Sequence, residues 1–264
     1  PGPEAIKALK QCGIAMSVTK ENLCPADRKM YQFRSMTGTI ESPELIIASI
    51  ASKQLALPAD HLLMDVRYGE GAFIPTYKEA KELAISLSNF INEGGVPCSY
   101  HLTNSSEPNG MAIGNAYEVL EAIAVMNREF ESTWDLRAIK EQKELVITFF
   151  EILMSNAFPE ENIDWKRLAN KQFDEGRVFQ SFLNILEAHQ VSKDVLRKLQ
   201  TNPKDVLGVK TKQILIRSRR AGMLKKIDQK KLGGLINFEL GGGGNDYAGV
   251  FTPHAGLVLG KRLG

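Results

Sequence analysis

The sequence predicts an α/β protein, on three observations. An apolar run at 61–66, a helix-patterned stretch at 77–94 and a second apolar run at 96–102 follow one another, the order of two parallel strands joined by a right-handed crossover helix. Residues 135–157 and 160–200 carry apolar residues at helical spacing, with no Gly-Ser linker before them. From Leu207 the pattern shortens to β-prone runs, KQILIRS and GLVLG, around LGGLINFELGGGGND. These read as a few strands with a glycine-rich turn.

In chain order, residues 3–16 read as a short helix with Ala5, Ile6 and Leu9 on its apolar face. It runs into GIAMSV (13–18), a candidate buried strand. The polar stretch TKENLCPADRK breaks that pattern, and Pro25-Ala26-Asp27 then starts a helix that carries Tyr31 toward Arg34. A second helix starts where Ser42 can cap, Pro43 fits the first helical position and Glu44 complements the dipole.

On that helix Ser49 and Lys53 are four residues apart and share a side with Ile46 and Ile50. A hydroxyl and a cation flanked by isoleucines suit a flat heterocycle. The pattern equally suits a lysine snorkelling from a helix end and a serine packed as a small core residue. Arg34 lies in a polar, glycine-containing segment leading into the helix, and its guanidinium fork fits a carbonyl acceptor.

LPADHLLMDV (57–66) then gives a turn and a short buried strand ending in Arg67-Tyr68-Gly69-Glu70-Gly71, followed directly by Phe73 and Ile74. Glycines past a strand let backbone bend closely, and in open parallel sheets ligands collect at the carboxyl ends of strands. The next helix stops at Gly94-Gly95, residues 103–114 are loop-like, and 115–127 return to helix.

The 264 residues suffice for one large or two modest domains. With 33 basic against 31 acidic residues, the net charge of +2 argues against nucleic acid as a partner. The basic run 210–231 lacks aromatics for base stacking and reads as a sheet edge shielded by lysines. Cys12, Cys24 and Cys98 are too scattered for a disulfide framework or a metal cluster, and they fit a reducing cytoplasm. His61, His101, His189 and His254 have no ligand spacing, and GGGG at 241–244 lacks the strand and helix that a phosphate loop requires. No apolar run reaches the roughly 20 residues of a membrane span, and PGPEAIKALK lacks a signal-peptide pattern. Without an initiating methionine, the chain is expected to be a fragment of something longer.

Three motifs in order carry a resemblance to a known family. PADRKMYQFRSMTGTIESPELIIASIASKQLA (25–56) resembles the segment of the thymidine and pyrimidine-nucleoside phosphorylases that reads Pro-Ala-Asp-Lys, Tyr-x-x-Arg-Asp, Thr-Ala-Thr-Val, then a serine-bearing helix ending Ser-Lys-Lys. MDVRYGEGAFIPT (64–76) is similar to that family's Leu-Asp-Val-Lys-x-Gly-Ser-Gly-Ala-Phe-Met. EPNGMAIGNAYEVLEA (107–122) is similar to its Gln-Pro-Leu-Gly-x-x-x-Gly-Asn-Ala-x-Glu-Val-x-Glu-Ala. A weaker echo follows through FDEGRVFQSFL, AGMLKKID, LGG and AGLVLGKRLG.

The resemblance implies a mixed sheet with flanking helices plus part of a small all-α domain. Residues 1–19 would start the α/β portion and 20–56 belong to the α-domain, which carries the dimer contact. Residues 57–206 would continue the α/β domain, and 207–264 form a truncated β-containing part. The implied reaction is phosphorolysis of thymidine or uridine to free base and sugar 1-phosphate, as in pyrimidine salvage, with inorganic phosphate as co-substrate and no organic cofactor.

Arg34 and Lys53 would act on the base carbonyls as catalytic residues. Ser49 would contact the imide edge, while Ile46, Phe73 and Ile74 line the base. Asn109, Ala112 and Glu121 would hold potassium, a set of oxygen ligands that suits a hard cation. The implied partners are nucleoside, phosphate and a second copy of the chain.

Departures from the family are also legible. Nothing matches its phosphate-binding Lys-His-Ser-Thr-Gly-Gly, which would lie before Pro1. Ser35 stands for an aspartate, Glu70 for a serine, Ile74 for a methionine, Asn109 for a leucine and Gly244 for an arginine. Rival expectations are a nucleoside-monophosphate phosphorylase, a phosphoribosyltransferase, or a silent chain that binds pyrimidines or mediates association.

Overall fold

A computed structural model describes residues 3–16, 24–40, 42–57, 59–127, 136–209, 216, 222, 225–240 and 256–259. Its hub is a parallel pair, β1 (Leu62–Tyr68) and β2 (Cys98–Asn104), with Leu62 opposite Cys98 and Tyr68 opposite Asn104. The connection is α4 (Tyr77–Glu93), capped by the Thr76 hydroxyl, which accepts the Glu79 N–H.

The two-residue alternation of strands decides what each face meets. Val66 packs on Ala80 and Ala84 of α4, with Met64, Tyr68, Tyr100 and Leu102 around it. On the opposite face the Thr103 hydroxyl donates to Asp65 at 2.5 Å, and His101 meets Phe149 edge-on at 5.3 Å between ring centres. Phe149 belongs to α6 (Leu136–Ala157), so helices flank the strand pair on both sides. A second, antiparallel pair joins β3 (Ala112–Ile113) to β4 (Leu257–Val258). The α/β class stands, with parallel and antiparallel pairing in separate two-stranded sheets among the described residues.

The remaining core is helical. Ile123 of α5 (Asn115–Met126) packs with Phe179 and Leu183 of α8 (Arg177–Ala188) and Leu196 and Leu199 of α9 (Lys193–Thr201). Ile147 of α6 packs with Ala169 and Phe173 of α7 (Trp165–Asp174). The first helix, α1 (Pro3–Cys12), buries Ala5 and Ala8 and lies against α8. A one-turn helix, α10 (Pro203–Val206), follows α9.

One expected strand and one expected glycine-rich turn are corrected. Residues 13–16 of GIAMSV do not form a strand. Gly13, at φ +77°, ends α1 by returning its N–H to Leu9, and Ile14 and Met16 are exposed. The segment around LGGLINFE is helical, as α11 (Gln229–Gly234) followed by a π-helical turn, Leu235–Glu239. Asp228 caps α11 through the Lys231 N–H, and Ile236 is buried. One cap and one apolar anchor outweigh the helix cost of two glycines, about 1 kcal/mol each. KQILIRS apart from Ile216, residues 17–18 and the glycines 241–244 lie outside the described residues. Among those described, no helix is long and apolar enough to cross a membrane.

Candidate functional site

The polar residues of the first motif meet across α2 (Pro25–Thr37) and α3 (Pro43–Leu55). Proline opens both helices, the Ser42 hydroxyl caps α3 by accepting the Leu45 N–H, and Gly38 at φ +68° ends α2. The turn between them is short, so the helices run back past each other and place Asp27 beside the far end of α3. There the Lys53 ammonium donates to Asp27 Oδ2 at 2.7 Å and to Ser49 Oγ at 2.8 Å.

Burial works to raise the Asp27 pKa. Hydrogen bonds from Lys53 and Ser49 and the charges of Lys53 and Arg34 outweigh it and hold the carboxyl below its usual value. Lys53 thus neither snorkels freely nor stands alone. It is the cation of a three-residue cluster.

Arg34 is buried, only 4% exposed. Its guanidinium donates through Nε to the Thr39 carbonyl at 3.4 Å, through one terminal nitrogen to Leu45 at 3.2 Å, and through the other to Ile40. Arg34, read from the sequence as part of the polar segment leading into α3, lies within α2, where it ties the α2–α3 turn. Three of its five N–H groups are engaged by backbone, which leaves two.

The apolar residues are distributed differently. Ile46 is half-buried on α3, while Phe73 and Ile74 follow β1. Ile74 bridges to Tyr68 and packs in the Val66 core, whereas Phe73 is 59% exposed. The bend that places them needs Gly69, at φ +116°, because a Cβ there would strike the Ser106 backbone nitrogen at 2.7 Å. No hydrogen bond joins Phe73 or Ile74 to Arg34, Ser49 or Lys53.

Asn109, Ala112 and Glu121 line one cavity of about 460 Å³, together with Arg67, Ser105 and Gln142. Glu121 is 3% exposed and accepts the Met111 N–H at 2.7 Å and the Ala112 N–H at 3.3 Å. Gly110 is required beside it, since a Cβ there would collide with the Glu121 carboxylate and the Gln142 amide. Ser105 Oγ is buried without a hydrogen-bond partner. Among the described residues no group of three or more His, Cys, Asp or Glu is placed to hold a metal ion, so any cation here would rely on main-chain carbonyls.

No protein-family model matches the chain. It is similar to a pyrimidine-nucleoside phosphorylase of Staphylococcus haemolyticus, 29% identical over 260 residues, 98% of this chain and 57% of that protein. A thymidine phosphorylase of Mesorhizobium japonicum is 31% identical over 252 residues, 96% of this chain and 55% of that protein. Both relatives are phosphorylases of pyrimidine nucleosides by name, and the similarity extends over nearly all of this chain. A third such phosphorylase, of Bacillus subtilis, is 29% identical over 262 residues, 99% of this chain and 57% of that protein. The chain thus spans a little over half the length of the phosphorylases it matches, and the likeness runs through both the α2–α3 cluster and the cavity.

Asp27 is the residue that sequence reasoning passed over. It reads as a first-turn helix acid, and its partner Lys53 is 26 positions away on another helix. The only signal for it is its place in the Pro-Ala-Asp stretch of the first motif.

Proposed function

We propose that the protein catalyses phosphorolysis of a pyrimidine nucleoside, thymidine or uridine, as a cytoplasmic salvage enzyme. The observation that carries this reading is the anchored Lys53 ammonium, which has two donors directed to Asp27 and Ser49 and a third left for a ligand. Likeness to phosphorylases over nearly the whole chain supports it. The free thiols of Cys12, Cys24 and Cys98 suit a reducing compartment.

In this reaction a phosphate oxygen attacks the anomeric carbon as the carbon–nitrogen bond to the base breaks. The bonding pair leaves with the base, and negative charge develops on its carbonyl oxygens. A fixed cation at such an oxygen interacts more strongly with the transition state than with the neutral ground state. Lys53 supplies that cation, and Arg34 adds positive potential with its two remaining N–H groups. Ser49 meets the imide edge, and Ile46, Phe73 and Ile74 supply apolar contact to the ring faces.

Asn109 and Ala112, through main-chain carbonyls, and Glu121, through its carboxylate, would hold a potassium ion. All three line one cavity, and hard oxygen donors suit that ion. Association through α2 as a homodimer belongs to the same reading. Met30, Phe33 and Met36 recur at three-residue spacing along this helix and are 53%, 62% and 81% exposed, a surface a second copy would cover.

The test is phosphate-dependent release of base from thymidine, uridine and AMP, with Lys53→Ala alongside and thymine binding measured by calorimetry. Release from the pyrimidine nucleosides, lost in the variant, is the expected result. Cleavage of AMP alone, or neither turnover nor thymine binding, would overturn the reading.

A further inference from the structure

We infer that the segment 226–229 is a strap across the carboxyl ends of β1 and β2, latched by Lys226 and Gln229, that positions the loop presenting Phe73. What this means for the base deepens the proposed function and rests on it.

Three stretches distant in sequence meet at one carbonyl. Ser105, directly after β2, accepts from the Gly71 N–H at 3.0 Å and from the Gln229 side-chain amide at 2.8 Å. Gly71 belongs to the turn after β1, and Gln229 opens α11, 124 positions after Ser105. Beside Gly71, the Glu70 carboxylate accepts from the Lys226 ammonium at 2.6 Å. Between the two latches Ile227 is buried, whereas Lys226 and Asp228 are exposed. An apolar anchor therefore pins the middle of the strap, and a polar contact holds each end.

Gly71 makes the seat. A Cβ there would lie 2.5 Å from the Gln229 amide, so that amide fills the space any other residue would occupy. The amide is the tip of a flexible side chain, and a Cβ would eject it while leaving the turn in place.

What the strap grips is the tip of a loop. Its ends are anchored, Gly69 against Ser106 and Ile74 in the Val66 core. The Gly69 N–H donates to the Ile74 carbonyl and the Ala72 N–H to the Gly69 carbonyl, each at 3.0 Å, which sets the shape of the loop. The tip, residues 70–73, projects beyond these bonds, and the two latches and the Gly71–Ser105 bond set its tilt. Both latches are weak. Glu70 and Lys226 are each 64% exposed, so water and salt screen their attraction, and Gln229 contributes one neutral hydrogen bond. A strap of this strength releases the loop without global unfolding.

The experiment is hydrogen exchange of the whole chain, followed at the amides of residues 69–74. The variants are Glu70→Lys, Lys226→Glu, the exchanged pair Glu70→Lys/Lys226→Glu, Gln229→Ala and Gly71→Ala. Circular dichroism and urea unfolding identify variants that fold, and Gln229→Ala serves if Gly71→Ala does not fold. Each single charge variant should speed loop exchange roughly 2- to 5-fold with α4 amides unchanged, and the exchanged pair should return to within about twofold of wild type. Gln229→Ala and Gly71→Ala should each speed it about 3- to 10-fold. Saturating thymine should slow exchange at the same amides in wild type, because a base held against Phe73 favours the closed loop.

Loop exchange unchanged in the folded latch variants, or still fast in the exchanged pair, would overturn this inference while the proposed function stands. Thymine that binds in calorimetry without slowing loop exchange would overturn it too, since the strapped loop would not meet the base. Wild type that neither binds thymine nor cleaves a nucleoside would overturn the proposed function, with the strap judged by its variants alone.

Discussion

Replacing Arg34 by alanine tests how α2 is held. Arg34 is the sole fully buried residue of this 13-residue helix, so little apolar area ties α2 to α3. What does tie them is polar, namely the Arg34 bonds to Thr39, Ile40 and Leu45, the Lys53–Asp27 pair, and the Cys24 thiol on the Ser52 carbonyl at 3.4 Å. A hydrogen bond to a charged group contributes about 1.5–3 kcal/mol net. Thr39 is exposed and its carbonyl regains water in the variant, whereas Ile40 and Leu45 are half-buried. Arg34→Ala should therefore cost on the order of 2–4 kcal/mol for local opening of α2. Native-state hydrogen exchange reads this directly, because α2 amides should exchange roughly 30- to 1000-fold faster while β1 and β2 amides keep their rates. Arg34→Lys, with a point charge for a fork, should fall between. If α2 exchange in Arg34→Ala matches wild type within about threefold, the guanidinium does not hold the turn and the reasoning fails.

Other outcomes follow from the same structure. Phe33→Glu or Met36→Glu should shift sedimentation toward monomer with far-ultraviolet circular dichroism unchanged; an unaltered sedimentation coefficient would remove α2 as the contact. Gly110→Ala should destabilise the chain by about 1–3 kcal/mol in urea unfolding, the usual cost of overpacking, because Glu121 and Gln142 must give way; normal stability would mean that the cavity wall is soft. The lowered Asp27 pKa makes its link to Lys53 a stabilising term at pH values above the ordinary carboxylate value of 3.8, lost as pH falls further through the folded-state value. Asp27→Asn should accordingly flatten the acid limb of stability against pH below 3.8, by a small amount because Lys53 is one-third exposed. An acid limb identical to wild type would show that the pair adds nothing. Potassium should raise the thermal midpoint relative to lithium at equal ionic strength, and Glu121→Gln should abolish the difference; equal midpoints in the two salts would remove the ion from the cavity.

Local signals were legible where neighbouring residues enforce them. Pro25, Ser42-Pro43 and Gly94 placed helix ends correctly, since capping and proline geometry act within one turn. The strand–helix–strand order also emerged, because apolar alternation and helical spacing are local periodicities. The reading failed where a distant contact or a single cap overrode composition. Gly233 and Gly234 sit in a helix because Asp228 caps it and Ile236 finds a core. Ile14 and Met16 gain no strand partner once Gly13 has turned the chain.

The sequence by itself determined which residue types could meet a pyrimidine: a serine and a lysine four apart on one helix, an arginine upstream, and a bend of glycines after a strand. Covalent order and helical period are enough for that. Tertiary structure alone decided their partners. Packing of α2 back along α3 brought Asp27 to Lys53 and turned Arg34 inward to three carbonyls, while the 105–113 segment, α5 and α6 gathered Asn109, Ala112 and Glu121 around one cavity. Hydrogen bonding depends on distance and direction in space, and residues 26 positions apart have neither until the chain has folded.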